Sequence, residues 1–262
     1  MAAHSALTAV DDPHVGHHGP HGEDHPPHLK HYFVSSEQQF DAAKLGMWLF
    51  LVTEILLFGG MFVAYGIYRS MHPELFVEAS SQLDTVMGGL NTLVLLGSSL
   101  TVAWAIRAIQ MDNRKLCTAL LVTTVALAGV FMVIKYFEYT HKFELGIFPG
   151  SHFVYAEGTP FTLPGLTGAA QTAAVGADGG HLASHGLTNQ RAGLFFSIYY
   201  VMTGIHGIHV LIGMVALSIL AVKSWRGKYS SAWYTPVENV GLYWHIVDVI
   251  WIFLFPLMYL IS

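Results

Sequence analysis

The chain has 262 residues, of which 53% are apolar and 11% charged, with a formal net charge of −5. With a mean hydropathy of +0.48, this composition belongs to an integral membrane protein rather than a soluble domain, and it has no basic excess for nucleic acid. Cys117 is the only cysteine, which excludes disulfides within the chain, thiolate metal sites and a CxxCH haem attachment.

Residues 1–43 are polar and hold half of the 16 histidines, at positions 4, 14, 17, 18, 21, 25, 28 and 31. This segment reads as a disordered tail. Irregular spacing and proline breaks argue against a formed metal site in it. It is also not a signal peptide, because no basic stretch leads into an apolar one. The first hydrophobic helix is therefore expected to direct insertion.

Five runs then approach or exceed the roughly 20 residues that cross a bilayer as a helix, at 45–65, 87–106, 116–136, 194–222 and 237–261. They lack the alternation of barrel strands, so the expected fold is an all-α bundle of five transmembrane helices. A connection of about 20 residues follows the first span, and short basic turns follow the second and fourth. The segment 137–193 after the third is a long loop, rich in small residues from 158 to 186. On the N-terminal side, Lys30, Lys44, Arg107, Arg114, Lys115, Lys223, Arg226 and Lys228 outnumber Arg69, Lys135, Lys142 and Arg191 opposite. The N-terminus is thus expected inside and the C-terminus outside.

Ionisable groups inside a bilayer are costly and therefore point to function. Glu54 lies mid-way along the first span with no basic residue in that span. It either exchanges a proton or serves as a protonated packing residue. In the fourth span, His206 and His209 are three residues apart and share a face, with Gly204, Gly207 and Gly213 thinning the same helix. The fifth span adds His245 and Asp248 at the same spacing, with Glu238 two turns earlier. A metal site is the sharper reading of these groups; polar packing between helices is preferred. Tyr199, Tyr200, Trp225, Trp233, Tyr234, Tyr243 and Trp244 suit interfacial anchoring. Lys223, Arg226 and Lys228 mark topology and could hold anionic lipid head groups.

In order along the chain, these motifs resemble subunit III of haem-copper cytochrome c oxidases. Ala42-Ala43-Lys44-Leu45-Gly46-Met47-Trp48 leading to Thr53-Glu54 is similar to the family's entry into the helix with the buried glutamate. Asn91-Thr92-Leu93-Val94-Leu95 resembles the start of the next helix, and Thr203-Gly204-Ile205-His206-Gly207-Ile208-His209 its paired-histidine helix. Glu238, then Gly241-Leu242-Tyr243-Trp244-His245-Ile246-Val247-Asp248, resembles the C-terminal helix. Longer family members have seven helices, so the resemblance is to the five-helix bacterial form, and any lipid cleft completed by the missing pair would need another chain.

The resemblance implies a subunit with no haem or copper of its own. Its partners would be the catalytic subunit I, subunit II, other respiratory chains and bound phospholipid in a bacterial cytoplasmic membrane. It would stabilise the catalytic core and support proton uptake. Subunit III of a quinol oxidase and the accessory protein of nitric oxide reductase are related alternatives, and Glu54, where those relatives tend to have Asp, favours the cytochrome c branch. A small transporter using Glu54, His206, His209 and Asp248 as a proton relay is the rival from another class.

Overall fold

The structure is a computed structural model that describes residues 33–80, 83–144 and 182–261, without the side chains of Glu78, Glu144 and residues 182–192. Most of the expected tail (1–32) and of the expected long loop (145–181) lie outside the described residues. Six helices follow in order: α1 Ser36–Met71, α2 Pro73–Ser80, α3 Thr85–Gln110, α4 Arg114–Glu144, α5 Leu182–Trp225 and α6 Thr235–Tyr259. All except α2 contain a stretch long and apolar enough to cross a membrane. Among the described residues, an isolated bridge between Ser230 and Trp233 is the only β pairing.

The helices begin where side chains can satisfy orphan amides. Ser35 Oγ accepts from Gln38 N at 3.1 Å, and Gln38 Oε1 accepts from Val34 N at 3.0 Å, a variant of the capping box. Residues 36–43, expected in the tail, are therefore the opening turns of α1. Asp84 caps α3, its Oδ1 accepting from Val86 N at 2.8 Å and Met87 N at 3.1 Å. Asp84→Ala is expected to cost about 1 kcal/mol, read as a lowered unfolding temperature without loss of helical signal.

Helix α3 buries Gly88, Asn91, Leu95, Ser98, Val102, Ala105 and Ile109. The alternating steps of three and four repeat every seven residues, which keeps one seam on a supercoiling partner. Lipid is as apolar as leucine, so close backbone approach through small residues must hold such a seam. A Cβ on Gly88 would lie 2.6 Å from Phe255, one on Gly213 would lie 2.7 Å from the Trp244 ring, and one on Gly241 2.6 Å from Ile106. Gly204 and Gly207 differ from expectation: nothing lies within 4 Å of a Cβ at either position, so only Gly213 supports tight packing by α5.

Helices α3 to α6 form the core bundle, with α3 packed on α4 and α6, and α5 on α4 and α6. Helix α1 stands beside α6: only 11% of its most apolar window is buried, against 44% for α6. Polar clasps attach it. Lys44 Nζ lies 3.1 Å from Glu238 Oε1, Asn239 Nδ2 donates to Ala43 O at 3.4 Å, and Tyr65 OH donates to Leu257 O. At the end where α3 meets α4, Asp112 takes a positive φ of 58° and Gly227 one of 72°. Arg114 Nη1 donates to the Gly227 carbonyl at 3.2 Å, joining the α3–α4 and α5–α6 turns.

Candidate functional site: buried polar groups between the helices

Three groups of polar side chains are built into the apolar bundle. The first joins α1 to α5. His209 Nδ1 lies 2.8 Å from the Ile205 carbonyl, which can only accept, so this nitrogen carries a proton. His209 Nε2 then lies 2.8 Å from Glu54 Oε2, with the two side chains 15% and 13% exposed. The approach is off hydrogen-bond alignment, yet two lone pairs this close would repel, so one proton must reside on the imidazole or on the carboxyl. Phe58 packs edge-on to His209 with centroids 5.4 Å apart, and Tyr243 OH donates to the His209 carbonyl at 2.9 Å. The partner that Glu54 lacks within its own helix is thus supplied by another, α5.

The second group holds α4, α5 and α6 together. Glu138 Oε2 accepts from Lys135 Nζ at 2.7 Å. Its Oε1 accepts from Lys142 Nζ at 2.7 Å, Tyr199 OH at 2.8 Å and Tyr259 OH at 2.6 Å. Lys135 also donates to Tyr259 OH at 2.6 Å, and Lys142 to Tyr199 OH at 2.9 Å. Lys135 Nζ further lies 4.6 Å from the centre of the Trp251 ring. Tyr199, expected as an interfacial anchor, is instead fully buried in this cluster, and Glu138 and Tyr259 were not among the sequence candidates, because Lys135 and Lys142 read as charges bordering the membrane. Their spacing, Lys at i−3 and i+4 from Glu138, was the available signal. Neutralised this way, α4 continues two turns beyond its expected end at residue 136.

The third group runs along the α3–α6 seam. Ser99 Oγ and His245 Nδ1 are 2.6 Å apart. The indole N–H of Trp244 donates to Ser98 Oγ at 3.0 Å, and that of Trp251 to Thr92 Oγ1 at 3.1 Å. His206 lies between Phe131 and Trp251, with ring centroids 5.7 Å and 5.2 Å away. Both nitrogens of His206, both oxygens of Asp248 and both polar atoms of Asn91 are buried without a hydrogen-bond partner among the described residues.

The sequence candidates therefore occupy separate places. His209 meets Glu54, His245 meets Ser99, Glu238 meets Lys44, and His206 and Asp248 remain in the core. Among the described residues, no three His, Cys, Asp or Glu side chains gather as metal ligands. Lys223, Arg226 and Lys228 are exposed around the end of α5.

Spanning helices stitched by buried ion pairs and hydrogen bonds define a multi-pass membrane protein whose polar chemistry lies inside the bundle. The family described as cytochrome c oxidase subunit III matches residues 35–163 and 184–262. The chain belongs to that family, subunit III of the haem-copper oxidases, and so to an oxidase complex. It is 30% identical over 223 residues to cytochrome c oxidase subunit 3 of Thermostichus vulcanus, covering 85% of this chain and 89% of the relative. It is 32% identical over 222 residues to the protein of the same name from Synechocystis sp., covering 84% and 76%. It is also 27% identical to haem-copper oxidase subunit I+III of Aeropyrum pernix, covering 84% of this chain and 23% of that one.

Proposed function

We propose that this chain is a non-catalytic subunit of a proton-pumping cytochrome c oxidase, without redox cofactors of its own, that stabilises subunit I and supports its proton uptake. The observation that carries the reading is the Glu54–His209 pair, which sets an intramembrane carboxyl on the most exposed spanning helix 2.8 Å from an imidazole of α5. Haem and copper belong to partner subunits in this reading, with subunit II also in the complex. The Aeropyrum relative named as subunit I+III supports subunit I as the direct partner.

Orientation follows from charge. Of the four cations counted on the C-terminal side, Lys135 and Lys142 are buried in ion pairs with Glu138. Two therefore remain against eight on the N-terminal side, which favours an inside N-terminus and an outside C-terminus in a bacterial cytoplasmic membrane. Lys223, Arg226 and Lys228 then lie at the inner surface, where they attract phospholipid head groups.

Purification in mild detergent tests the assignment: a haem spectrum and subunit I should travel with the chain, and recovery of the chain without a haem-bearing partner overturns it. The proton role of Glu54 has a separate test. A hydrophobic carbodiimide should label Glu54 in the wild type and leave Glu54→Gln unlabelled. A carboxyl inert at every pH is not an exchanging site.

A further inference from the structure

Helices α1 and α3 each pack on α6, and α1 also meets α5, but α1 and α3 share no packed interface. The outward side of α6 is therefore the floor of a groove with α1 on one side and α3 on the other. Val249, Ile252 and Phe253 of α6 are exposed, as are Leu96 and Leu100 of α3. His245 stands one turn before Val249, only half-buried, with Ser99 of α3 against it.

Lipid chains alone would satisfy an apolar groove, but His245 is polar and deep. It stands ten residues after Thr235, the start of α6, so about 15 Å along the span. Ser99 is at a matching level, eleven residues before Gln110 at the end of α3. That is close to the middle of a hydrocarbon core about 30 Å thick. The 2.6 Å approach of Nδ1 to Ser99 Oγ holds the ring in place. Its other nitrogen, Nε2, stays accessible at the surface and has no hydrogen-bond partner among the described residues. The hydroxyls of Thr53, Thr123 and Ser218 avoid this difficulty, because each donates to a carbonyl of its own helix. His245 has no such return, since its bonded nitrogen is turned to α3. At this depth a lipid chain offers neither donor nor acceptor, and a polar atom left facing it forfeits a hydrogen bond.

We propose that the groove over α6 receives a transmembrane helix of subunit I, and that His245 Nε2 hydrogen-bonds to a hydroxyl or amide side chain of that helix. The inference rests on the reading of subunit I as the direct partner, and adds the docking face and its polar anchor. A neutral imidazole offers its free nitrogen as donor or acceptor according to tautomer, and hydroxyl and amide groups match either one. Polar side chains of this kind join helices within membranes. An ionised partner side chain fits less well, because it would carry a charge to mid-membrane that no neighbour in the groove neutralises.

Photo-crosslinking in the intact oxidase tests the face. Benzoylphenylalanine placed at Val249 should join this chain to subunit I on illumination, whereas the same group at Val133, exposed on α4, should not. Adducts from Val249 with lipid alone or with a second copy of this chain overturn the proposal, as does an equal yield of the subunit I adduct from Val133. If subunit I is recovered with the chain but is absent from the Val249 adduct, the docking face is wrong and the oxidase assignment stands; if subunit I is absent from the preparation, both fall. His245→Leu tests the anchor, with roughly fivefold faster release of this subunit in detergent expected for the loss of one hydrogen bond. His245→Gln keeps a donor and an acceptor and should restore retention. Wild-type retention in His245→Leu overturns the anchor.

Discussion

Glu138→Gln is expected to destabilise the bundle by about 3–5 kcal/mol, because removing one member of a buried ion cluster leaves its partners as uncompensated charges. Lys135 and Lys142 have side chains only 8% and 4% exposed, and both ammonium groups rely on Glu138. The loss should appear as a fall in unfolding temperature of the purified oxidase and as release of this subunit during washing in detergent. Removing all three charges together, with Lys135→Met, Glu138→Gln and Lys142→Met, should cost less than the single change, since no unpaired ion remains. A single variant within about 0.5 kcal/mol of wild type, the range of neutral surface changes, would refute this account of the cluster.

Gly213→Leu should prevent α5 from docking on α6. Even the first added carbon would sit 2.7 Å from two ring atoms of Trp244 and 3.3 Å from Tyr243. Trp244 is fully buried and tied to Ser98 through its indole N–H, so its ring cannot swing aside freely. Overpacking of this kind costs about 1–3 kcal/mol for small additions and more for large ones. Gly207→Ala is the control, with no atom within 4 Å of the new carbon, and should assemble normally. Limited proteolysis of the membrane-embedded complex and subunit retention on a native gel distinguish the two. Normal retention of Gly213→Leu would contradict the close approach.

Apolar length made the spanning helices legible in the sequence, and bilayer thickness explains why: a run near 20 residues has few other uses. Glu54 was legible as an anomaly, because a carboxyl inside an apolar run stands out without knowledge of its partner. Its partner was not legible as such, since His209 lies 155 positions later and looked equally suited to a metal set or to packing. The opening of α1 was available in Ser35 and Gln38, but polar residues next to a long histidine-rich stretch read as part of that stretch. Helix α2, at eight residues, is too short for periodicity to distinguish from a loop. The Glu138 cluster was hidden for a different reason. Charges at the edge of an apolar run ordinarily mark where the run ends, and only the tyrosines arriving from α5 and α6 let α4 carry them inward.

The placement of α1 beside α6 has a consequence for how the chain is made. Its clasps fall at Lys44, Glu54 and Tyr65, roughly 15 Å apart along the helix, and their partners all lie between residues 209 and 257. The ribosome delivers α1 before α3 and α4, yet every one of these partners lies on α5 or α6. Helix α1 must therefore wait in the membrane, inserted but undocked, until translation is almost complete. During that interval its glutamate has no imidazole beside it and Lys44 no carboxylate, so the unfinished chain differs from the finished one by unpaired polar groups that quality-control machinery in the membrane could recognise.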